Sequence, residues 1–128
     1  MNKNSTLTPV LGSYLEAIYL KGIKGYSVRT TDVANELGIS KSGVNRAVNV
    51  LKSMGLVSHQ SYGGIVITNE GRDTAKRLLK KNELVKQFLI CSLKLDESEA
   101  AEEAKRLEHI IGQKTLNEME TYVSINAG

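Results

Sequence analysis

Residues 29–71, with the sequence RTTDVANELGISKSGVNRAVNVLKSMGLVSHQSYGGIVITNEG, carry the strongest structural signal in this chain of 128 residues. They predict two short helices joined by a tight turn. Thr30 or Thr31 can cap the first helix, and Gly38 follows it where a left-handed residue must end a helix. Ser40 begins the second helix, which Gly55 ends.

A β-hairpin is predicted directly after these helices. Residues 56–60 and 65–68 are β-branched runs, and the segment between them contains Gly63 and Gly64. Glycines there allow the positive backbone angles of a hairpin turn. Two helices followed by a hairpin predict a winged helix-turn-helix, in a fold that is mainly α with a β-hairpin wing.

The second predicted helix has one apolar face and one polar face. Apolar residues recur at spacings of three and four and form its buried stripe: Val44, Ala47, Val48 and Leu51. The residues that then face outward are Ser42, Asn45, Arg46 and Asn49. Their hydroxyl, amide and guanidinium groups are those that bind base edges in a major groove, so we expect base contacts from these four.

Positive charge is concentrated in the part of the chain that contains this motif. Residues 1–81 hold 12 Lys and Arg against 5 Asp and Glu, whereas residues 82–128 hold 5 against 9. A double-stranded DNA operator is therefore the expected partner. The other predicted DNA-binding residues lie at helix starts and in the wing: Arg29, Ser40, Lys41, Lys52, His59 and Tyr62. The alternative is a protein-interaction module that has kept the winged fold without DNA recognition.

Composition excludes several other classes of protein. With 41% hydrophobic and 24% charged residues, the chain can bury one ordinary core and a small helical appendage. Neither a signal peptide nor a membrane span is expected, so the predicted location is cytoplasmic. No nucleophile with a nearby base and no phosphate-binding glycine loop is evident, so we do not expect an enzyme.

Helical patterns flank the winged motif on both sides. One helix runs from Thr8 to about residue 20, and a long helix runs from Thr68 or Asn69 to about residue 91. Asp96 with Glu99, and Thr115 with Glu118, have capping-box spacing, so they predict two outer helices, the first continuing through Ile111. The predicted domains are residues 1–72, which bind DNA, and residues 73–128, which form a linker helix and a helical dimerisation domain.

Dimerisation is expected because so short a helical unit has little core of its own. The apolar residues predicted to form the dimer contact are Leu107, Ile111 and Leu116. Two copies would bind two half-sites about one helical turn of DNA apart. The alternative is a monomer whose outer helices fold back on the DNA-binding part.

Taken together, these residues resemble the family of metal-responsive repressors that includes the diphtheria toxin repressor and the manganese transport regulator. The motifs that carry the resemblance span nearly the whole chain: Thr8-Pro9, the YLEAIY run at 14–19, Val28-Arg29-Thr30, Tyr62 and Gly64, Thr68 with Glu70-Gly71, and Arg106-Leu107-Glu108-His109. The length is similar to that of the shorter, manganese-type members. The resemblance implies a homodimeric repressor whose metal site, for Mn²⁺ or Fe²⁺, lies between the first helix and the outer helices.

The resemblance also implies which positions would hold that metal. Glu16, Glu108 and His109 match the family's ligands. Ser13 stands where the manganese-type pattern has an aspartate, and Asn82 where it has a histidine. Lys105 stands where the pattern has a glutamate or, in iron-type members, a cysteine, and Lys86 and Ala101 replace the secondary ligands of the iron-type pattern.

Lys105 is the most unfavourable of these replacements. An ammonium about 4 Å from a divalent ion would cost about 8 kcal/mol at an effective dielectric of about 20. A micromolar site is worth about the same in total. One hypothesis is that the Lys105 cation neutralises Glu16 and Glu108 in place of metal; the alternative is a solvated Lys-Glu pair.

We therefore predict a homodimeric DNA-binding transcription regulator, a repressor by resemblance, whose metal site is degenerate. No metal cofactor is assigned. The alternative within the family is a working manganese or iron sensor that uses Glu16, Glu108 and His109, with Ser13, Asn82 or water completing the coordination.

Overall fold

The structure is a computed structural model and describes residues 7–23, 27–59 and 64–126. The chain divides into two compact units, Met1–Lys76 and Arg77–Gly128. The long helix α4, Asn69–Leu93, runs through this boundary. The boundary predicted from sequence, after residue 72, falls in the first turns of the same helix. Within the described residues, no helix is long and apolar enough to cross a membrane.

Three helices form most of the first unit: α1 (Pro9–Gly22), α2 (Thr30–Leu37) and α3 (Lys41–Ser53). The predicted start of α1 is confirmed, because the Thr8 hydroxyl oxygen accepts a hydrogen bond from the Leu11 amide at 3.2 Å and Pro9 follows in the first turn. Ser40 likewise caps α3 by accepting a bond from the Gly43 amide at 3.1 Å.

The ends of these helices are also as predicted, but the cap of α2 is not. Gly38 and Gly55 have φ of +67° and +77°, the left-handed conformation that ends a helix. Neither Thr30 nor Thr31 caps α2, because the N-cap is Arg29. The Arg29 amide donates to Asp32 Oδ2 at 3.3 Å, which is the half of a capping box in which a first-turn carboxylate accepts from the N-cap amide.

The wing belongs to a three-stranded antiparallel sheet. Its strands are β1 (Val28–Arg29), β2 (Val57–His59) and β3 (Gly64–Ile67), in the order β1-β3-β2. Both hairpin strands were predicted within two residues of their bounds, whereas β1 was not predicted. Val28 pairs with Ile65, so β1 fixes the start of α2 against the wing. Residues 60–63, which include Tyr62 and most of the predicted turn, lie outside the described residues, whereas Gly64 begins β3 opposite Arg29.

One apolar core holds the helices of this unit on the sheet. Completely buried side chains come from all three helices and from β3, and they include Leu15, Val33, Val44, Val48, Leu51 and Ile65. The inner face of α3 therefore has the predicted residues. Because both short helices and the wing share this core, the outer face of α3 is held in a fixed relation to the wing.

The second unit contains the rest of α4 together with α5 (Glu97–Leu107) and α6 (Gln113–Asn126). The capping box predicted for α5 is confirmed: Asp96 Oδ1 accepts from the Glu99 amide at 2.8 Å, and Glu99 Oε1 accepts from the Asp96 amide at 3.3 Å. Two other predictions are wrong. The helix ends at Leu107 rather than Ile111, and α6 begins at Gln113, so Thr115 lies inside it.

Gly112 accounts for the earlier start of α6. The carbonyl of Gly112 accepts the Leu116 amide at 3.0 Å, so this glycine stands at the start of α6, where glycine is a favourable cap. Residues 108–110 form turns after α5. A capping box at residue 115 is therefore not needed.

The residues predicted to form the dimer contact lie in the core of this unit. Leu116 is buried with four other residues, Val85, Leu89, Ala100 and Ala104, and Leu107 and Ile111 pack against that cluster. These three side chains therefore hold α5 and α6 on α4 within one subunit.

Candidate functional site

The outer face of α3 is exposed along its whole length. The polar residues on it are Lys41, Ser42, Asn45, Arg46, Asn49 and Lys52, and all six are exposed. We call these residues the α3 outer face. Their exposure follows from the helical period, because the buried stripe on the opposite side fixes which side chains reach solvent.

Hydrogen bonds distinguish the residues of the α3 outer face. The Thr30 hydroxyl donates to Asn45 Oδ1 at 3.5 Å, so Asn45 lies toward the start of α2. Ser42 Oγ lies 3.2 Å from Ser40 Oγ, at the start of α3. In the part of the chain that the structure describes, Arg46 and Asn49 make no side-chain hydrogen bond or ion pair, so their donors and acceptors are available to a ligand.

A polar cavity of about 400 Å³ lies beside this face, where α2, α3 and the sheet meet. Its lining includes two cations, Arg29 and Lys41, together with hydroxyl and amide groups: Ser27, Thr30, Thr31 and Asn45. Free backbone amides and the positive end of the helix dipole also lie at the start of each helix. The cavity therefore has the charge and the donors that bind a phosphate group.

The remaining predicted DNA-binding residues are spread over the same unit. Lys52 is exposed in the last turn of α3, and His59 is exposed at the end of β2, opposite Ile65. Tyr62 lies outside the described residues. Three cavity residues were not among the predicted DNA-binding residues: Ser27, Thr30 and Thr31. The two threonines were predicted only as helix caps, and Ser27 directly precedes the two-residue strand β1.

Two of the implied metal positions lie on α1, in the first unit. Ser13 is exposed, and its hydroxyl donates to the Pro9 carbonyl at 3.2 Å. Glu16 is half-buried. A neutral serine hydroxyl that is already bonded to the backbone is a much weaker ligand for a divalent ion than the aspartate of the family pattern.

The other implied positions lie in the second unit, where Glu108 and His109 form a buried pair. The Glu108 side chain is 3% exposed and that of His109 is 10% exposed. Glu108 Oε2 lies 3.0 Å from His109 Nε2, whereas Oε1 is buried and has no hydrogen-bond partner among the described residues. A buried carboxylate oxygen without a partner is costly, and a cation would relieve that cost.

The cation is not Lys105 within this unit. Lys105 is exposed and forms no ion pair with any described residue, and the partner of Glu108 is His109. The hypothesis that Lys105 neutralises Glu108 is therefore wrong for this conformation. Lys86, at a secondary ligand position, does form an ion pair: its Nζ lies 3.2 Å from Glu97 Oε2 and links α4 to α5.

The residues present do not fit a complete divalent metal site. Asn82 is half-buried on α4 but offers an amide where the pattern has a histidine. Across residues 7–23, 27–59 and 64–126, no group of three or more His, Cys, Asp and Glu side chains is arranged to hold an ion. Of the three positions that match the family's ligands, Glu108 and His109 lie together in the second unit and Glu16 lies in the first.

Comparison with known families accounts for nearly the whole chain. Residues 6–65 match the model of the iron dependent repressor N-terminal DNA binding domain. Residues 68–125 match the model of the iron dependent repressor metal binding and dimerisation domain. The two matches meet near the start of α4.

Individual proteins give the same result. An uncharacterised HTH-type transcriptional regulator of Methanocaldococcus jannaschii is 38% identical over 112 residues, which cover 86% of this chain and 89% of that protein. The HTH-type transcriptional regulator MntR of Bacillus subtilis is 32% identical over 111 residues, covering 86% of this chain and 77% of MntR. A manganese-dependent transcriptional repressor solved with manganese has a TM-score of 0.77 and 25% identity, covering 89% of this chain but 52% of that one.

Proposed function

This chain belongs to the family of iron-dependent repressors, and we propose that it is a homodimeric, cytoplasmic regulator that binds a DNA operator without requiring manganese or iron. Proteins of this family are transcriptional repressors and not enzymes. The single observation that carries DNA binding is the juxtaposition of the polar cavity with the exposed α3 outer face.

The polar cavity suits the DNA backbone. Arg29 and Lys41 supply two positive charges, and both helix starts beside them present backbone amides. A phosphate bound there would set the position of α3 along the duplex. Because Asn45 lines the same cavity and accepts a bond from Thr30, we assign it to positioning rather than to base recognition.

Base recognition is assigned to the middle of the α3 outer face. Arg46 and Asn49 are exposed, and no described residue engages their side chains. Arginine pairs with the O6 and N7 acceptors of guanine, and asparagine pairs with the N6 and N7 atoms of adenine. Ser42 can donate to either kind of base edge or to a phosphate.

Metal independence is proposed from the chemistry of the ligand positions. Ser13 offers a hydroxyl bonded to Pro9, Asn82 offers an amide, and Lys105 offers an exposed ammonium. Three neutral or cationic groups replace three groups that coordinate a divalent ion well. No step of DNA binding is therefore assigned to a metal.

Selection from random duplex DNA in the presence of a chelator tests this function. We expect enriched sequences with two half-sites related by a two-fold axis and spaced by about 10 base pairs or a multiple of that distance. A mobility-shift assay should then show a complex with two copies of the chain per duplex. A pool without any enriched sequence would contradict DNA recognition and favour a protein-interaction module.

A second candidate function is a working manganese sensor. The observation that favours it is Glu108 Oε1, which is buried without a hydrogen-bond partner among the described residues. An ion bound by Glu108 and His109 would satisfy that oxygen, and oxygen-rich coordination suits manganese. Calorimetric titration with Mn²⁺ distinguishes the two functions: binding at micromolar affinity that Glu108→Gln abolishes would support the sensor.

A further inference from the structure

One exposed residue of α3 is apolar, unlike its neighbours on the surface of this helix. Val50 is 43% exposed, and α3, which the structure describes in full, exposes no other apolar side chain. Met54, four residues later, packs against the core of the first unit, whereas Val50 does not belong to that cluster. The apolar surface of Val50 is therefore left to solvent within the subunit.

The stability of the helix gives no reason for a valine at position 50. β-Branched residues lose side-chain freedom in a helix, so valine forms helices less well than alanine. At an exposed position, burial of apolar surface does not compensate for this cost. Single exposed apolar residues are common on protein surfaces, however, so exposure alone does not identify a contact. The feature that distinguishes Val50 is its place on α3.

Val50 borders the α3 outer face. It lies one turn after Arg46 on the same side of the helix, and it directly follows Asn49. Arg46 and Asn49 are the two residues to which base recognition is assigned. The Ser53 hydroxyl, further along this side of α3, donates to the Val50 carbonyl at 2.7 Å and so is bonded to the backbone. A duplex that contacts Arg46 and Asn49 would therefore also cover the Val50 side chain.

We propose that Val50 contacts the C5 methyl group of a thymine in each half-site of the operator. This inference rests on the proposed DNA binding and names a further residue that determines sequence specificity. Among the four bases, thymine alone presents a methyl group in the major groove, and apolar side chains recognise it by contact. Arg46 and Asn49 recognise hydrogen-bonding groups, so Val50 adds a kind of base contact that the α3 outer face lacks.

The geometry of the helix also predicts where this thymine lies. Residues four apart in a helix are separated by about 6 Å along its axis. Stacked base pairs are separated by about 3.4 Å along the duplex. With α3 in the major groove, the thymine should therefore lie about two base pairs from the base that Arg46 contacts.

Replacing thymine by deoxyuridine tests the proposal on the wild-type chain. Deoxyuridine lacks the methyl group and keeps every hydrogen-bonding group of the base. Each thymine of the selected operator is replaced in turn, at equivalent positions of both half-sites, and affinity is measured by fluorescence anisotropy. At one thymine position we expect binding to weaken by about fourfold for each half-site, the effect of leaving one methyl-sized group uncovered. This measurement needs no variant, so a change in folding cannot produce its result.

Val50→Ala identifies the side chain responsible. It should weaken binding to the thymine operator and should bind the thymine and deoxyuridine operators alike. Val10→Ala is the matched control, because it makes the same change at a valine of α1 that is 64% exposed. It should keep both the wild-type affinity and the preference for thymine. Arg46→Ala should weaken binding and still keep that preference.

The outcomes separate this inference from DNA recognition itself. Sequence-specific binding that no deoxyuridine weakens, or a thymine preference that Val50→Ala retains, would overturn the Val50 contact and leave the proposed function in place. A chain that enriches no sequence from random duplex DNA would overturn both. A thymine preference that Val50→Ala abolishes and both other variants retain supports both.

Discussion

At the scale of single residues, Gly71 shows how closely the wing approaches α4. A Cβ atom at Gly71 would overlap the carbonyl oxygen of Leu56 and the side chain of Ile67. The same turn is fixed by Thr68, whose hydroxyl donates to the Gly55 carbonyl at 2.8 Å and accepts from the Gly71 amide at 2.9 Å. Close packing against Leu56 and Ile67 therefore explains why the Glu70-Gly71 motif has a glycine at position 71.

We predict that Gly71→Ala destabilises the protein by about 1 to 3 kcal/mol or more, because the added methyl group meets backbone that cannot move freely. Gly22→Ala is the matched control. Its Cβ would be 3.4 Å from a Val28 methyl group, an ordinary contact, and alanine is the better helix former. Urea denaturation measures both, and equal stability of the two variants would contradict the packing argument.

Lys94 is another position where the backbone conformation predicts how a substitution changes stability. It has φ of +61° at the end of α4, a left-handed conformation that costs a non-glycine residue about 1 to 2 kcal/mol. A glycine at this position would in turn lower the free energy of unfolding by about 0.4 to 1 kcal/mol, because glycine has more conformational freedom in the unfolded chain. Lys94→Gly should therefore raise the free energy of unfolding by about 0.5 to 1 kcal/mol. If Lys94→Ala proved the more stable variant in urea, this reasoning would be wrong.

At the scale of elements, α3 is where DNA contacts of two kinds lie side by side. Arg46→Ala should cost about 1 to 3 kcal/mol of binding to the operator and little for unrelated DNA, because a base contact carries sequence information. Fluorescence anisotropy with operator and scrambled duplexes measures this difference. Equal losses on both duplexes would remove Arg46 from base recognition.

Lys41→Ala should behave differently, because Lys41 lines the polar cavity with Arg29. Loss of a phosphate contact should weaken binding to both duplexes alike and reduce the slope of log affinity against log salt by about 1. Lys21→Ala is the control, since Lys21 is also exposed but pairs with Glu36 at 3.2 Å. A Lys41→Ala protein with the salt slope of the wild type would exclude the phosphate contact.

Most elements could be predicted from sequence because local signals determine them. Thr8, Ser40 and the Asp96–Glu99 box mark helix starts through bonds that span three residues. The two-residue strand β1 carries no such signal, because only its pairing with Ile65 makes it a strand. The start of α6 was misplaced because Gly112 and Thr115 are both acceptable caps in sequence, and the Leu116 amide bonds to the carbonyl of Gly112.

The candidate site could be predicted in part. Helical period identified which residues of α3 face solvent, but not that Asn45 is bonded to Thr30 or that Arg29 and Lys41 line one cavity. The contact between Glu108 and His109 was not predicted from sequence, because the side chains of adjacent residues on a helix point apart.

At the scale of the whole molecule, charge is divided along the chain: residues 1–81 hold 12 Lys and Arg against 5 Asp and Glu, whereas residues 82–128 hold 5 against 9. The positive residues concentrate in the part that carries the polar cavity, which favours association with DNA. Glu16, Glu108 and His109 match the family pattern of ligands, whereas Ser13, Asn82 and Lys105 depart from it. A member of a metal-responsive family is therefore proposed to have kept DNA binding while losing its dependence on the ion.

The most direct test of this claim is the operator affinity of the purified wild-type protein, measured by fluorescence anisotropy first with a chelator and then with saturating manganese or iron. We predict that the dissociation constants differ by less than about threefold, equivalent to about 0.7 kcal/mol. Coupling of about 3 kcal/mol, seen as binding about a hundredfold tighter with metal, would contradict the claim and establish the metal sensor.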